Sequence, residues 1–200
     1  RRGQLENLKS SVEQAFKTDY YAKRLRAAGI GSGEDIRSLE DLSKIPFTTK
    51  DDLRSTYPYG LLGVSQDDVV RIHVSSGTTG IPTVIYHTAE DLDSWTDLAS
   101  RSIVATGATR TDVFQNMMTY GLFTGGLGLH YGAERVGMLV IPASSGNTQR
   151  QLRLMKDFQT TVVHATPSYL LHLHARLEEG DIKRSDLNLE KAFVGDRKST

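Results

Sequence analysis

From residue 66 onward the chain alternates short β-branched or apolar runs with stretches of helical length, and this alternation restricts its fold more than any single residue does. Strands are predicted at Val69-Val70-Arg71-Ile72-His73-Val74, Thr83-Val84-Ile85-Tyr86, 112–118, Gly137-Met138-Leu139-Val140-Ile141, 160–165 and Lys191-Ala192-Phe193-Val194. A helix opens at Thr88-Ala89-Glu90-Asp91 and runs to Thr106-Gly107. A glycine-rich bend over 121–132 leads into a short one, another spans 148–158, and Pro167 at a first-turn position opens one that ends at Glu179. This β-α-β-α order predicts an α/β fold with a mainly parallel sheet and helices on both faces. Residues 1–65 read differently. Leu5, Leu8, Val12 and Phe16 recur at helical spacing, and Tyr20-Tyr21 with Leu25 continue the stripe to a stop at Gly29 and Gly31. A short helix starts at Ser38-Leu39-Glu40-Asp41-Leu42, and Thr49 caps another through a box with Asp52. The expected organisation is a helical N-terminal segment, 1–65, followed by an α/β subdomain, 66–200.

Between the first two strands lies Ser75-Ser76-Gly77-Thr78-Thr79-Gly80-Ile81-Pro82-Thr83. Glycines leave backbone N–H groups unobstructed, and the hydroxyls add donors, which together suit a phosphate. It is not a Walker A loop: no Lys follows the last glycine, and a strand follows instead of a helix. The residues alone leave a polar hairpin turn open as the alternative. A second loop, Ser144-Ser145-Gly146-Asn147-Thr148, precedes a helical pattern and is read as an N-cap. The glycines at 121, 125, 126 and 128 allow two readings. They permit tight helix packing, or they let a substrate lie against the backbone, with Tyr120 and Phe123 as walls.

Composition excludes several function classes. Basic and acidic residues balance at 24 each, so no global field draws nucleic acid or an anionic membrane. Cysteine is absent, which rules out thiol catalysis and Cys-type metal sites. Of the six histidines, His172 and His174 fall on different helical faces, and the rest lack ligand spacing, so structural roles are expected and no metal site is assigned. No signal-like or membrane-length apolar run occurs, and a cytoplasmic location is the expectation.

Several segments together resemble the AMP-forming acyl-CoA ligases of the adenylate-forming superfamily, and most closely the phenylacetate-CoA ligase branch. They are the 75–83 loop; Ile45-Pro46-Phe47-Thr48-Thr49-Lys50-Asp51-Asp52-Leu53-Arg54 with Tyr57-Pro58-Tyr59-Gly60-Leu61; Tyr120-Gly121-Leu122-Phe123-Thr124-Gly125-Gly126-Leu127-Gly128; Ile141-Pro142-Ala143-Ser144-Ser145-Gly146-Asn147-Thr148; and Ala165-Thr166-Pro167-Ser168-Tyr169. The resemblance implies the N-terminal part of such an enzyme. It implies ATP, Mg²⁺ and CoA as cofactors, and a small aryl or acyl carboxylic acid as substrate. Ser75, Ser76, Gly77, Thr78, Thr79, Gly80 and Thr83 would bind the phosphates, and Gly195 the adenine end. Met118, Tyr120, Phe123, Gly125, Gly126 and Tyr169 would line the acid pocket. No catalytic side chain is assigned, and a homodimer is one possible assembly. The chain departs from the family pattern at Ile81, where Lys or Arg is usual, at Met118, where an aromatic is usual, and at Asp196-Arg197-Lys198 after Gly195. A non-catalytic homologue that binds a nucleotide or a partner is the rival expectation.

Overall fold

The computed structural model describes residues 2–75, 80–122 and 124–195. Contacts divide the chain into two compact units, 1–89 and 90–200. In the first, helices α1 (Arg2–Ala15) and α2 (Asp19–Ala27) replace the single long helix expected from the Leu5–Leu25 stripe. The reason is local. Thr18 has extended backbone, φ −110° and ψ 137°, and its hydroxyl accepts a hydrogen bond from the Tyr21 N–H, so a new helix is capped there. Both helices still bury one stripe, because Val12, Leu25, Ile30 and Ile36 form a common core. Gly29 takes φ +79° just past α2, as its helix-stopping position requires. Further along, Thr49 caps α3 (Lys50–Ser55) through the reciprocal box with Asp52.

Strands β1 (Arg71–Val74) and β2 (Val84–His87) pair antiparallel, from Arg71 against His87 to Val74 against Val84. β1 starts two residues later than expected because Val69 closes a 3₁₀ turn over Gln66–Asp68. This pair lies in the first unit and forms its own two-stranded sheet.

The second unit carries the α/β core. Its elements are α4 (Ala89–Ala105), β3 (Val113–Asn116), α5 (Thr124–Val136), β4 (Leu139–Ile141), α6 (Thr148–Asp157), β5 (Val162–Ala165), α7 (Pro167–Glu179) and β6 (Lys191–Val194). The sheet order is β4-β3-β5-β6, and every pairing is parallel. Alternation along the strands separates two cores. Phe114 and Val162 pack with Ile103 of α4 and Ala133 of α5. Met117, Val163 and Ala165 pack with Leu152 and Met155 of α6 and Leu173 of α7. Helices therefore cover both faces, as the β-α order predicts. Among the described residues no helix is long and apolar enough to cross a membrane.

Candidate functional site

A cleft of about 400 Å³ opens in the second unit. It is lined by Trp95, Leu98, Ala99 and Ser102 of α4, by Thr124, Gly125, Gly128 and Leu129 of α5, by His164 of β5 and by Gly195 after β6. His164 and Gly195 stand at the carboxyl ends of neighbouring parallel strands, the edge at which open α/β sheets take their ligands. The volume suits a small organic molecule. The first-turn N–H groups of α5, at Thr124 and Gly125, have no partners within the helix and bring the positive end of its dipole to this cleft.

The glycines of α5 divide between close packing and the cleft wall. A Cβ on Gly128 would lie 2.5 Å from Cζ2 of Trp95, and one on Gly132 would lie 2.8 Å from Cβ of Ala99. A Cβ on Gly126 would sit 2.5 Å from the Thr119 carbonyl oxygen. Gly126, Gly128 and Gly132 thus permit close packing. Gly125, by contrast, faces the cleft, and Gly128 does so as well.

Asn116, at the end of β3, ties the cleft together. It is fully buried. Its Nδ2 donates to the Gly126 carbonyl at 2.6 Å, and its Oδ1 accepts from the Met118 N–H at 3.2 Å. The same Oδ1 lies 3.0 Å from Nδ1 of His164. Burial pushes the His164 imidazole down to about 4, so the ring is neutral at physiological pH.

The other candidates are placed as follows. Gly125 and Gly195 line the cleft. Met118 is 6% exposed and belongs to the core, and it is not among the cleft-lining residues. Tyr120 lies 3.1 Å through its hydroxyl from Nδ1 of His130, whose Nε2 faces Glu134 at 3.1 Å. Burial pushes the Tyr120 hydroxyl up to about 12, so it stays protonated. Tyr169, in the first turn of α7, stacks on His172 and reaches the Gly146 carbonyl at 3.5 Å. Ser75 and Thr83 close the base of the hairpin. The Ser75 N–H donates to the Thr83 carbonyl at 2.9 Å, and the Thr83 N–H donates to the Ser75 hydroxyl at 3.0 Å. Gly80 takes φ +124°. Ser76, Gly77, Thr78, Thr79 and Phe123, and the Asp196-Arg197-Lys198 departure, lie outside the described residues.

The loop at 144–147 is a cap, as expected. The Asn147 side chain accepts from the Arg150 N–H at 3.1 Å and starts α6. Trp95, Leu98 and His164 were not singled out in the sequence. For Trp95 the available signal was its uniqueness as the chain's single tryptophan, placed one helical turn from a small residue, Ala99.

No protein-family model matches the chain. Curated relatives do. Phenylacetate-coenzyme A ligase of Pseudomonas putida is 46% identical over 196 residues, which is 98% of this chain and 44% of that protein. The Escherichia coli (strain K12) protein of the same name is 47% identical over 176 residues, 88% of this chain and 40% of that protein. The chain therefore spans less than half the length of these relatives. Among solved structures, 2-hydroxyisobutyryl-CoA ligase in complex with 2-HIB-AMP and CoA in the thioesterification state aligns with TM-score 0.89, at 24% identity, over 97% of this chain and 43% of that one. An open conformation of that ligase aligns with TM-score 0.87 at 22% identity, over 96% and 43% of the two chains. Those structural likenesses establish the shared fold, and the sequence identities go further: the chain belongs to the phenylacetate-coenzyme A ligase family.

Proposed function

We propose that the protein carrying this chain is an AMP-forming aryl- or acyl-CoA ligase. A carboxylate oxygen of the acid attacks the α-phosphorus of ATP, and pyrophosphate leaves. The CoA thiol then attacks the acyl carbon of the resulting acyl-adenylate, loses its proton, and displaces AMP. The observation that carries this reading is identity of 44–47% to relatives named phenylacetate-CoA ligase. The cleft supports it. Trp95, Leu98 and Leu129 give an acid apolar walls, and Gly125 leaves backbone room. Gly195, at the end of β6, is open on its Cβ side, so a flat ring can approach the backbone there.

The phosphates are assigned to Ser75, Ser76, Gly77, Thr78, Thr79, Gly80 and Thr83. This chemistry needs no protein nucleophile, only positioned groups and donors that stabilise charge on the leaving pyrophosphate. Mg²⁺, which the resemblance implies, finds no carboxylate among the residues that line the cleft, and none of them is assigned to it.

The test is acid-dependent ATP–pyrophosphate exchange by the protein expressed from its gene, with and without the double change Thr78→Val, Thr79→Val. A hydrogen bond to a charged group contributes roughly 1.5–3 kcal/mol, so losing both hydroxyls should slow exchange by more than tenfold. Exchange at the unaltered rate would show that the loop is only a turn. Tight nucleotide binding without any exchange would favour the non-catalytic rival.

A further inference from the structure

His164 is the one imidazole on the cleft wall, and it is 5% exposed. Its hydrogen-bonding state follows from the geometry of Asn116. A carbonyl can only accept and a backbone N–H can only donate. The Gly126 carbonyl therefore requires the Asn116 NH₂ group, and the Met118 N–H requires the Asn116 oxygen, so the amide cannot be flipped. The atom 3.0 Å from His164 Nδ1 is then an acceptor, and Nδ1 must carry the proton. A neutral imidazole has a single N–H, which leaves Nε2 as a bare acceptor. Burial keeps the ring in that neutral form. No described residue donates to Nε2.

The surroundings make this lone pair matter. Trp95, Leu98, Ala99 and Leu129 offer the cleft apolar surface. The Ser102 hydroxyl spends its proton on the Leu98 carbonyl at 3.1 Å. The Thr124 hydroxyl can turn either way, so it does not discriminate donors from acceptors. His164 Nε2 is thus an imidazole acceptor of fixed polarity on a cleft wall that also carries the indole of Trp95, whose N–H can only donate. A ligand that covers it without a donor leaves a buried acceptor unpaired, and that is a penalty a donor-bearing ligand avoids.

We propose that the cleft selects carboxylic acids bearing a hydroxyl or N–H donor on the carbon skeleton, read by Nε2 of His164. The inference rests on the ligase reading above and narrows its substrate class. One neutral hydrogen bond gained against an unpaired acceptor corresponds to roughly tenfold discrimination.

The experiment is acid-dependent pyrophosphate exchange by the protein expressed from its gene. The acids are phenylacetate and phenylpropionate, their hydroxy derivatives at each ring and chain position, and the matching methyl ethers. At least one hydroxy acid should exceed its parent in kcat/KM by about tenfold, and its methyl ether, which cannot donate, should lose that advantage. His164→Met, which keeps bulk but removes the acceptor, should bring the hydroxy-to-parent ratio near one. Parent acids used as well as every hydroxy acid would overturn the inference while leaving the ligase reading standing. A methyl ether that keeps the full advantage, or a ratio unaltered in folded His164→Met, would overturn it equally. Should that variant not fold, the hydroxy and methoxy comparison on the unaltered protein decides alone. Absence of exchange with every acid would overturn the ligase reading and this inference with it.

Discussion

Gln151→Met tests whether a buried amide pair holds the second unit together. Gln151, on α6, is fully buried. Its Nε2 donates to the Ser144 carbonyl at 2.7 Å and to the Gly146 carbonyl at 3.2 Å. Its Oε1 accepts from Gln115 Nε2 of β3 at 2.7 Å, and Gln115 Oε1 accepts from the Thr160 hydroxyl at 2.9 Å. Methionine matches glutamine in length, so the change removes polar partners without opening a cavity. The Ser144 carbonyl, half-buried, loses its donor, which costs about 1–3 kcal/mol, whereas water can replace the bond at the exposed Gly146. Gln115 keeps one weaker bond, to the Gln151 backbone carbonyl at 3.2 Å, and gives up about 1 kcal/mol more. The expected loss is therefore roughly 2–4 kcal/mol. Urea unfolding followed by tryptophan fluorescence reads it directly, because the single tryptophan, Trp95, lies in this unit. The double variant with Gln115→Met should cost about 1 kcal/mol less than the sum of the two single changes, since each removes the other's partner. A loss below about 0.5 kcal/mol for Gln151→Met would refute the reasoning.

Three further outcomes are expected. His164 stays neutral in the fold down to about pH 4, while an unfolded imidazole takes up its proton near 6.5. The unfolded state then binds more protons across that window, so stability should fall by up to about 3 kcal/mol as pH drops through it, and urea melts of His164→Met should lack that part of the slope. Gly128→Ala should push the Trp95 indole from its place, with a cost of about 1–3 kcal/mol, a shifted fluorescence maximum and weaker acid-dependent exchange. Ser144 holds φ +60°, a region glycine enters without a steric penalty, so Ser144→Gly should raise the urea midpoint, by roughly 0.5–1 kcal/mol in stability.

Local chemistry made much of this fold legible. Pro167 at the first helical position and the short Ala192-Phe193-Val194 apolar run set the bounds of α7 and β6, which match the expected ones. The break at Thr18 was missed because an apolar stripe passes across it unchanged, and a hydroxyl that caps a helix looks, in sequence, like one that sits inside it. The glycines of α5 could not be sorted without knowing that Trp95 and Ala99 face them. His164 was grouped with five other histidines of no obvious ligand spacing. What sets it apart is Asn116, 48 residues earlier, brought beside it only by the parallel pairing of β3 and β5. Long-range pairing of this kind leaves no periodic trace in the chain.

The clasp between Ser75 and Thr83 has a thermodynamic consequence for whatever the hairpin loop holds. Three bonds fasten the two residues: the backbone pair, the Thr83 N–H to the Ser75 hydroxyl, and the Thr83 hydroxyl to the same oxygen at 2.9 Å. The entropy of bringing the loop's ends together is therefore spent when the strands pair, before any anion arrives. On the phosphate assignment proposed above, a ligand would not have to meet that closure cost. Loosening the clasp, as Thr83→Ala would, moves part of that closure cost from the folding equilibrium into the binding equilibrium. Such a loop would keep the hydroxyls and glycines between its two ends and, on the phosphate assignment proposed above, still bind more weakly.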